Sequence, residues 1–164
     1  MPLALLRSVF ALEGTRLVAL ARLGREPGAE MVLEDVDARL GAALEALEAR
    51  GARYPAHALA ERYQLSQADY LVLQLALLPW HGGEAVAAAT RALAGDGQAT
   101  DRPRASHAVA LALPGHTDWP HALGRLRELT VVAEGLVVLQ PTDDGDDDPI
   151  VTLGLAVQEL LGLS

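Results

Sequence analysis

The 164-residue chain contains neither cysteine nor lysine. Without cysteine there is no disulfide, no thiolate zinc site and no thiol nucleophile. Without lysine there is no phosphate-binding G-x-x-x-x-G-K-[ST] loop, so the chain alone is not expected to hydrolyse nucleotides. G-x-S-x-G, H-E-x-x-H and the dinucleotide-binding glycine fingerprint are missing as well. Aromatic residues make up only 4% against 51% hydrophobic, so the core must be built of Leu, Ala and Val. Ala and Leu lose little on entering a helix, and this composition favours helices. Long apolar runs are lacking too. Arg7, Glu13, Arg16 and Arg22 interrupt Leu3–Leu23, which excludes a signal peptide or membrane span there and makes a cytoplasmic location the expectation.

Positive charge is missing from the last 35 residues. The formal net charge is -9, and residues 130–164 carry seven acidic side chains with no Arg, while residues 1–57 and 58–129 are each at -1. Five of the seven acids are Asp143, Asp144, Asp146, Asp147 and Asp148. A near-neutral body with an acidic end argues against nucleic acid and anionic membranes as partners. It suits a basic protein surface, or solubility alone.

Helical patterns dominate what is present. Pro2 to Leu23 carries Leu6, Phe10 and Leu17 at helical spacing, broken by Gly24, Pro27 and Gly28. A second helix is expected from Glu30 to Arg50, with an apolar stripe of Leu33, Val36, Leu40, Ala43 and Leu47. That stripe packs on its own domain or mediates self-association through the N-terminal helices. A short helix follows, Ala56 to Tyr63; then Ser66, with Asp69 in the first turn, caps an apolar helix from Gln67 to Leu78 that belongs at the centre of a domain. Glu84 to Leu93, a helix capped by Ser106, and one capped by Asp118 from Trp119 to Leu129 complete this part. Thr130–Val132 and Leu136–Leu139 flank Ala133-Glu134-Gly135 and predict a hairpin. Pro149–Val151 is expected to return as a strand, and Thr152 to cap a last helix ending near Leu161. The fold expected is mainly α with a small β-hairpin: a helical N-terminal extension over residues 1–54, then a winged-helix-like domain over 55–164 with an acidic wing.

Few constellations point to chemistry. His57, His81, His107, His116 and His121 fall in different elements and match no ligand spacing, so no metal is expected. The aspartate run could hold calcium, but the one register that closes on a glutamate starts at Asp148 and ends at Glu159. It puts Ile150 and Leu153 where an oxygen ligand and a glycine are needed. A solvated loop is the plainer reading. Arg102 and Arg104 precede the helix expected to be the recognition helix. They would meet phosphate in a DNA reader, or bridge nearby acids such as Asp96 and Asp101. With the five aspartates they form the candidate partner-binding set. Trp80 and Trp119, each beside a proline, read as core anchors, or, if exposed, as contact points for a partner.

The run from Leu59 to Pro79, LAERYQLSQADYLVLQLALLP, resembles the N-terminal region of certain bacterial AAA+ ATPases, some encoded with contractile injection systems. In those proteins a short helix, a Leu-Ser step and a Leu-rich helix ending near a proline precede a winged-helix module. The likeness continues through Arg102-Pro103-Arg104, the Ala/Leu helix after it, the hairpin around Gly135 and Leu160-Leu161-Gly162, covering about residues 36–163. It departs at the first 28 residues and at Gln67-Ala68-Asp69, where a glutamate is usual. The resemblance implies a non-catalytic regulatory or adaptor domain, with the ATP-binding module downstream of Ser164. No cofactor and an unidentified protein partner are the expectation. The alternative is a winged-helix DNA-binding transcriptional regulator.

Overall fold

The computed structural model describes residues 3–142 and 147–163. The chain is mainly helical, with one small antiparallel hairpin near its C-terminal end. Two long helices, α1 (Leu3–Arg22) and α2 (Ala29–Ala49), form an antiparallel pair, followed by α3 (Pro55–Arg62) and α4 (Gln67–Leu77). A 3-10 turn (Leu78–His81) leads into α5 (Gly83–Leu93), and α6 (Ala105–Ala112) and α7 (Trp119–Glu128) follow. The chain ends with α8 (Thr130–Ala133), β1 (Val137–Gln140), β2 (Ile150–Leu153) and α9 (Leu155–Leu160).

The hub is α4. Val72, Leu73, Leu75, Ala76 and Leu77 are all essentially inaccessible, and the helix touches α1, α6, α8 and both strands. Ser66 caps it as its sequence predicts. The Ser66 hydroxyl accepts from the Asp69 N–H while Asp69 accepts from the Ser66 N–H at 2.9 Å, a reciprocal arrangement that satisfies two otherwise orphaned donors. Helix α1 serves two cores. Its Leu17 and Ala21 join the large cluster around α4, whereas Val9 packs with Leu40, Leu47, Tyr54 and Ala56. Of the α2 stripe, Val36, Leu40 and Leu47 are buried within the chain, and Leu33 and Ala43 are half-buried.

The hairpin differs from the sequence expectation. Thr130–Ala133 is a helical turn, and β1 pairs with β2 across the acidic segment, Val137 opposite Leu153 and Gln140 opposite Ile150. Three β-branched or apolar residues favour a strand only weakly when a tertiary contact decides. Here Asp69 Oδ1 accepts from the Val131 N–H at 3.0 Å and the Val131 side chain is fully buried. Gly135 does turn the chain at φ 75, but it ends a helix rather than joining two strands. A further short pairing lies on the other edge of β2. Arg104 bridges Ile150, flanked by Val151 N–H to Pro103 O at 2.9 Å and Ala105 N–H to Pro149 O at 2.8 Å.

Two caps also move. Thr152 lies within β2, its hydroxyl donating to Val138 O, and Gly154 takes the N-cap position of α9. Ser106 sits inside the first turn of α6, whose N-cap is Arg104. Asp118 caps α7 as expected, accepting from the His121 N–H. No helix among the described residues is long and apolar enough to cross a membrane.

Candidate interaction surface

The acidic segment connects β1 to β2, and its C-terminal end is fastened to α6. The first turn of any helix exposes unpaired N–H groups and a partial positive charge. At α6 the Asp148 carboxylate meets both: it accepts from the Ser106 N–H at 2.8 Å and the Ser106 hydroxyl at 2.6 Å. Arg104 completes the clamp by donating from Nη1 to the Asp148 carbonyl at 3.1 Å. His107 turns its Nδ1 back to accept from the Arg104 N–H at 2.9 Å, which fixes the neutral tautomer with hydrogen on Nε2. Burial holds His107 below the usual histidine range, and the nearby Arg104 charge adds to this, while Asp148 and Asp96 oppose it.

The predicted partner-binding residues therefore divide. Asp148 and Arg104 are brought together, but as internal cement. Arg104 reaches Asp148 rather than Asp96 or Asp101. Arg102 is exposed and lines a different cleft, beside Trp80, Pro103 and Thr152. Asp147 is exposed, and its carbonyl accepts from Trp119 Nε1 at 3.2 Å. Asp143, Asp144 and Asp146 lie outside the described residues.

That last hydrogen bond ties the β1–β2 connection to the start of α7 and leaves a shallow groove between them. Its volume is about 290 Å³, and it is lined by Trp119, Pro120, Leu123, Arg127, Pro141, Asp147 and Pro149. Trp119 and Leu123 also pack on the core from the other side, so the groove has a firm floor. In the sequence Trp119 reads as a core anchor and Pro149 as the start of a strand. That Pro141 and Pro149 bracket the acidic run and would meet α7 follows from the strand pairing, which the misplaced hairpin hid.

A second polar cluster lies between the two cores. Glu13 of α1 is 3% exposed, and its Oε1 is 3.0 Å from His57 Nε2 of α3. Tyr54 and Tyr70 flank His57 in edge and tilted ring contacts. Burial, reinforced by the Glu13 charge, pushes both tyrosine hydroxyls above their ordinary range. The Tyr70 hydroxyl and the Gln74 amide are buried without a well-formed hydrogen bond to the protein among the described residues. Nearby, His81 stacks on Phe10 with ring centroids 3.9 Å apart, and its burial lowers its pKa against the opposing pull of Glu13. This cluster joins α1 to α3 and α4. It presents no aligned nucleophile.

Among the described residues no group of three or more His, Asp or Glu side chains is placed to hold a metal ion. His116 and His121 stack on each other at 5.8 Å. No family model matches the chain, and neither a curated protein nor a solved structure does.

Proposed function

We propose that this chain is a non-catalytic, winged-helix-like protein-recognition module, serving as the regulatory or adaptor domain of a bacterial AAA+ ATPase. The order of elements supports the winged-helix reading. With α5 inserted after α4 and α8 before the strands, α4, the short Arg104 pairing, α6, α7 and two strands joined by a loop follow a helix, strand, helix, helix, strand, wing, strand succession. In that succession α7, rather than α6, takes the recognition position, and the acidic connection is the wing.

One observation carries the choice of a protein over nucleic acid: α7 runs beside an acidic wing. The wing's Asp147 shares a groove with Trp119 and Arg127, in a segment with no cation between residues 130 and 164. A phosphodiester backbone approaching α7 would meet that charge, and affinity for DNA depends on cations that replace its counterions. Arg104 is already engaged with the wing backbone, and Arg125 pairs with Glu128 at 3.1 Å.

The DNA-binding reading has one observation in its favour. The exposed side of α7 carries His121, Arg125 and Arg127. Fluorescence anisotropy with mixed-sequence duplex DNA at low salt separates the two. The protein-recognition reading expects no saturable binding, and tight binding that weakens steeply with salt would overturn it. The AAA+ assignment requires in addition a phosphate-binding lysine motif in an ATPase that acts with this module, so that adding the module alters its ATP turnover.

A further inference from the structure

Resting on the protein-recognition reading, we propose that the groove between α7 and the β1–β2 connection docks a short linear segment that places an aliphatic side chain beside a cationic one. The floor dictates the first requirement. Trp119, Pro120, Leu123, Pro141 and Pro149 supply apolar surface with no competing donors, because the one indole N–H is spent on the Asp147 carbonyl. A volume of about 290 Å³ accommodates one or two side chains rather than a folded domain.

Charge dictates the second requirement. Asp147 lines the groove, and Asp118, exposed at the N-cap of α7, lies at the same end as Trp119 and Pro120. These two carboxylates act over about 8–10 Å at physiological salt and favour a cation at that end of the groove. Arg127 sets the direction. It lies eight residues along α7 from Trp119, roughly 12 Å at the rise of an α-helix. The cation of the bound segment therefore sits at the Trp119 end, and a peptide carboxylate or carbonyl faces Arg127.

The chain carries its own reporter. Trp80 and Trp119 are its two tryptophans, so Trp80→Phe leaves Trp119 as the sole indole emitter. The probe is a short synthetic peptide alternating Arg and Leu, compared with one alternating Glu and Leu. The expected result is a saturable change in Trp119 emission with the Arg peptide only. Asp147→Asn, which keeps the backbone bond to Trp119, should weaken the binding by roughly twofold to fivefold, as for an exposed ion pair. Equal response to both peptides, an unchanged affinity in Asp147→Asn, or no response of Trp119 to the Arg peptide would each overturn the groove proposal. All three leave the protein-recognition reading standing. A saturable response of Trp119 to duplex DNA instead overturns that reading itself.

Discussion

Asp69 Oδ1 lies 3.0 Å from the backbone nitrogen of Val131, sixty-two positions away in the chain. The other oxygen of the same carboxylate accepts from the Ser66 N–H and hydroxyl, at 2.9 and 2.8 Å. One buried side chain therefore starts α4 and holds α8 against it. This connection fixes the entry to the hairpin, and through it the placement of the wing beside α7.

Removing that carboxylate should be among the most damaging single changes in the chain. Asp69→Ala leaves the buried Val131 N–H and the Ser66 N–H and hydroxyl without their acceptor, and a loss of about 2–4 kcal/mol is expected. Ser66→Ala removes only the cap and should cost about 1 kcal/mol. Urea unfolding followed by circular dichroism reads both. Equal costs for the two variants would mean that the Val131 contact contributes nothing.

The same contact shows why the sequence misled at Thr130–Ala133 while other elements were legible. Caps at Ser66 and Asp118 and the boundaries of α1 through α5 were legible, because each depends on residues adjacent in the chain. The apolar circumference of Gln67–Leu77 correctly marked the central helix. Thr130–Ala133 was not legible, since what holds it helical is a carboxylate on α4. With that segment read as a strand, the acidic run became a loop after the hairpin instead of the loop within it. The role of Asp148 was hidden for the same reason. A run of aspartates gives no sign that its last member would cap a helix forty-two residues upstream.

That cap separates Asp148 from its neighbours in a testable way. Asp148→Ala removes the acceptor for the Ser106 N–H and hydroxyl at the start of α6. A destabilisation of about 1–2 kcal/mol is expected, in line with the loss of a charged acceptor at a helix N-terminus. Asp147→Ala, whose carbonyl contact survives the substitution, should stay within about 0.5 kcal/mol of the parent. Thermal or urea melts that ranked the two the other way would contradict the assignment.

Gly14 presents a conflict between local propensity and packing. Alanine in the middle of α1 would add about 1 kcal/mol from helix propensity. Yet a Cβ at this position would collide with the His81 ring, which is stacked on Phe10. Gly14→Ala should therefore destabilise, by about 1–3 kcal/mol. Combined with His81→Ala, the same substitution should no longer cost anything relative to His81→Ala alone. A double-mutant cycle by urea unfolding measures this, and additive effects would rule the clash out.

Stability should fall on the acid side because of two histidines. His81 and His107 both titrate below their usual value near 6.5, chiefly through burial. Between that value and their folded-state pKa values the unfolded chain binds more protons than the native one. Their contribution is thus complete above about pH 6.5 and is lost as pH falls through the lowered values. At His107 the proton would enter Nδ1, which accepts from the Arg104 N–H, so protonation opens the α6 cap. His107→Asn retains an acceptor without the titration, and urea midpoints measured across this range should fall less steeply with it.

The tyrosines govern the alkaline side with the opposite sign. Burial, with the Glu13 charge adding to it, raises the Tyr54 and Tyr70 hydroxyls above their usual value near 10. Above that pH the unfolded chain releases protons that the native state retains, so the folded form is progressively disfavoured. Tyr70 offers the cleaner test because its hydroxyl is buried without a well-formed hydrogen bond among the described residues. Deleting a poorly satisfied polar atom costs little, since its desolvation penalty goes with it. Tyr70→Phe should therefore match or exceed the parent in stability at neutral pH. It should also lose less of that stability as pH rises past about 10, the difference being read from urea midpoints on either side of that value. A Tyr70→Phe protein that unfolds in alkali as steeply as the parent would place the proton release on Tyr54 alone.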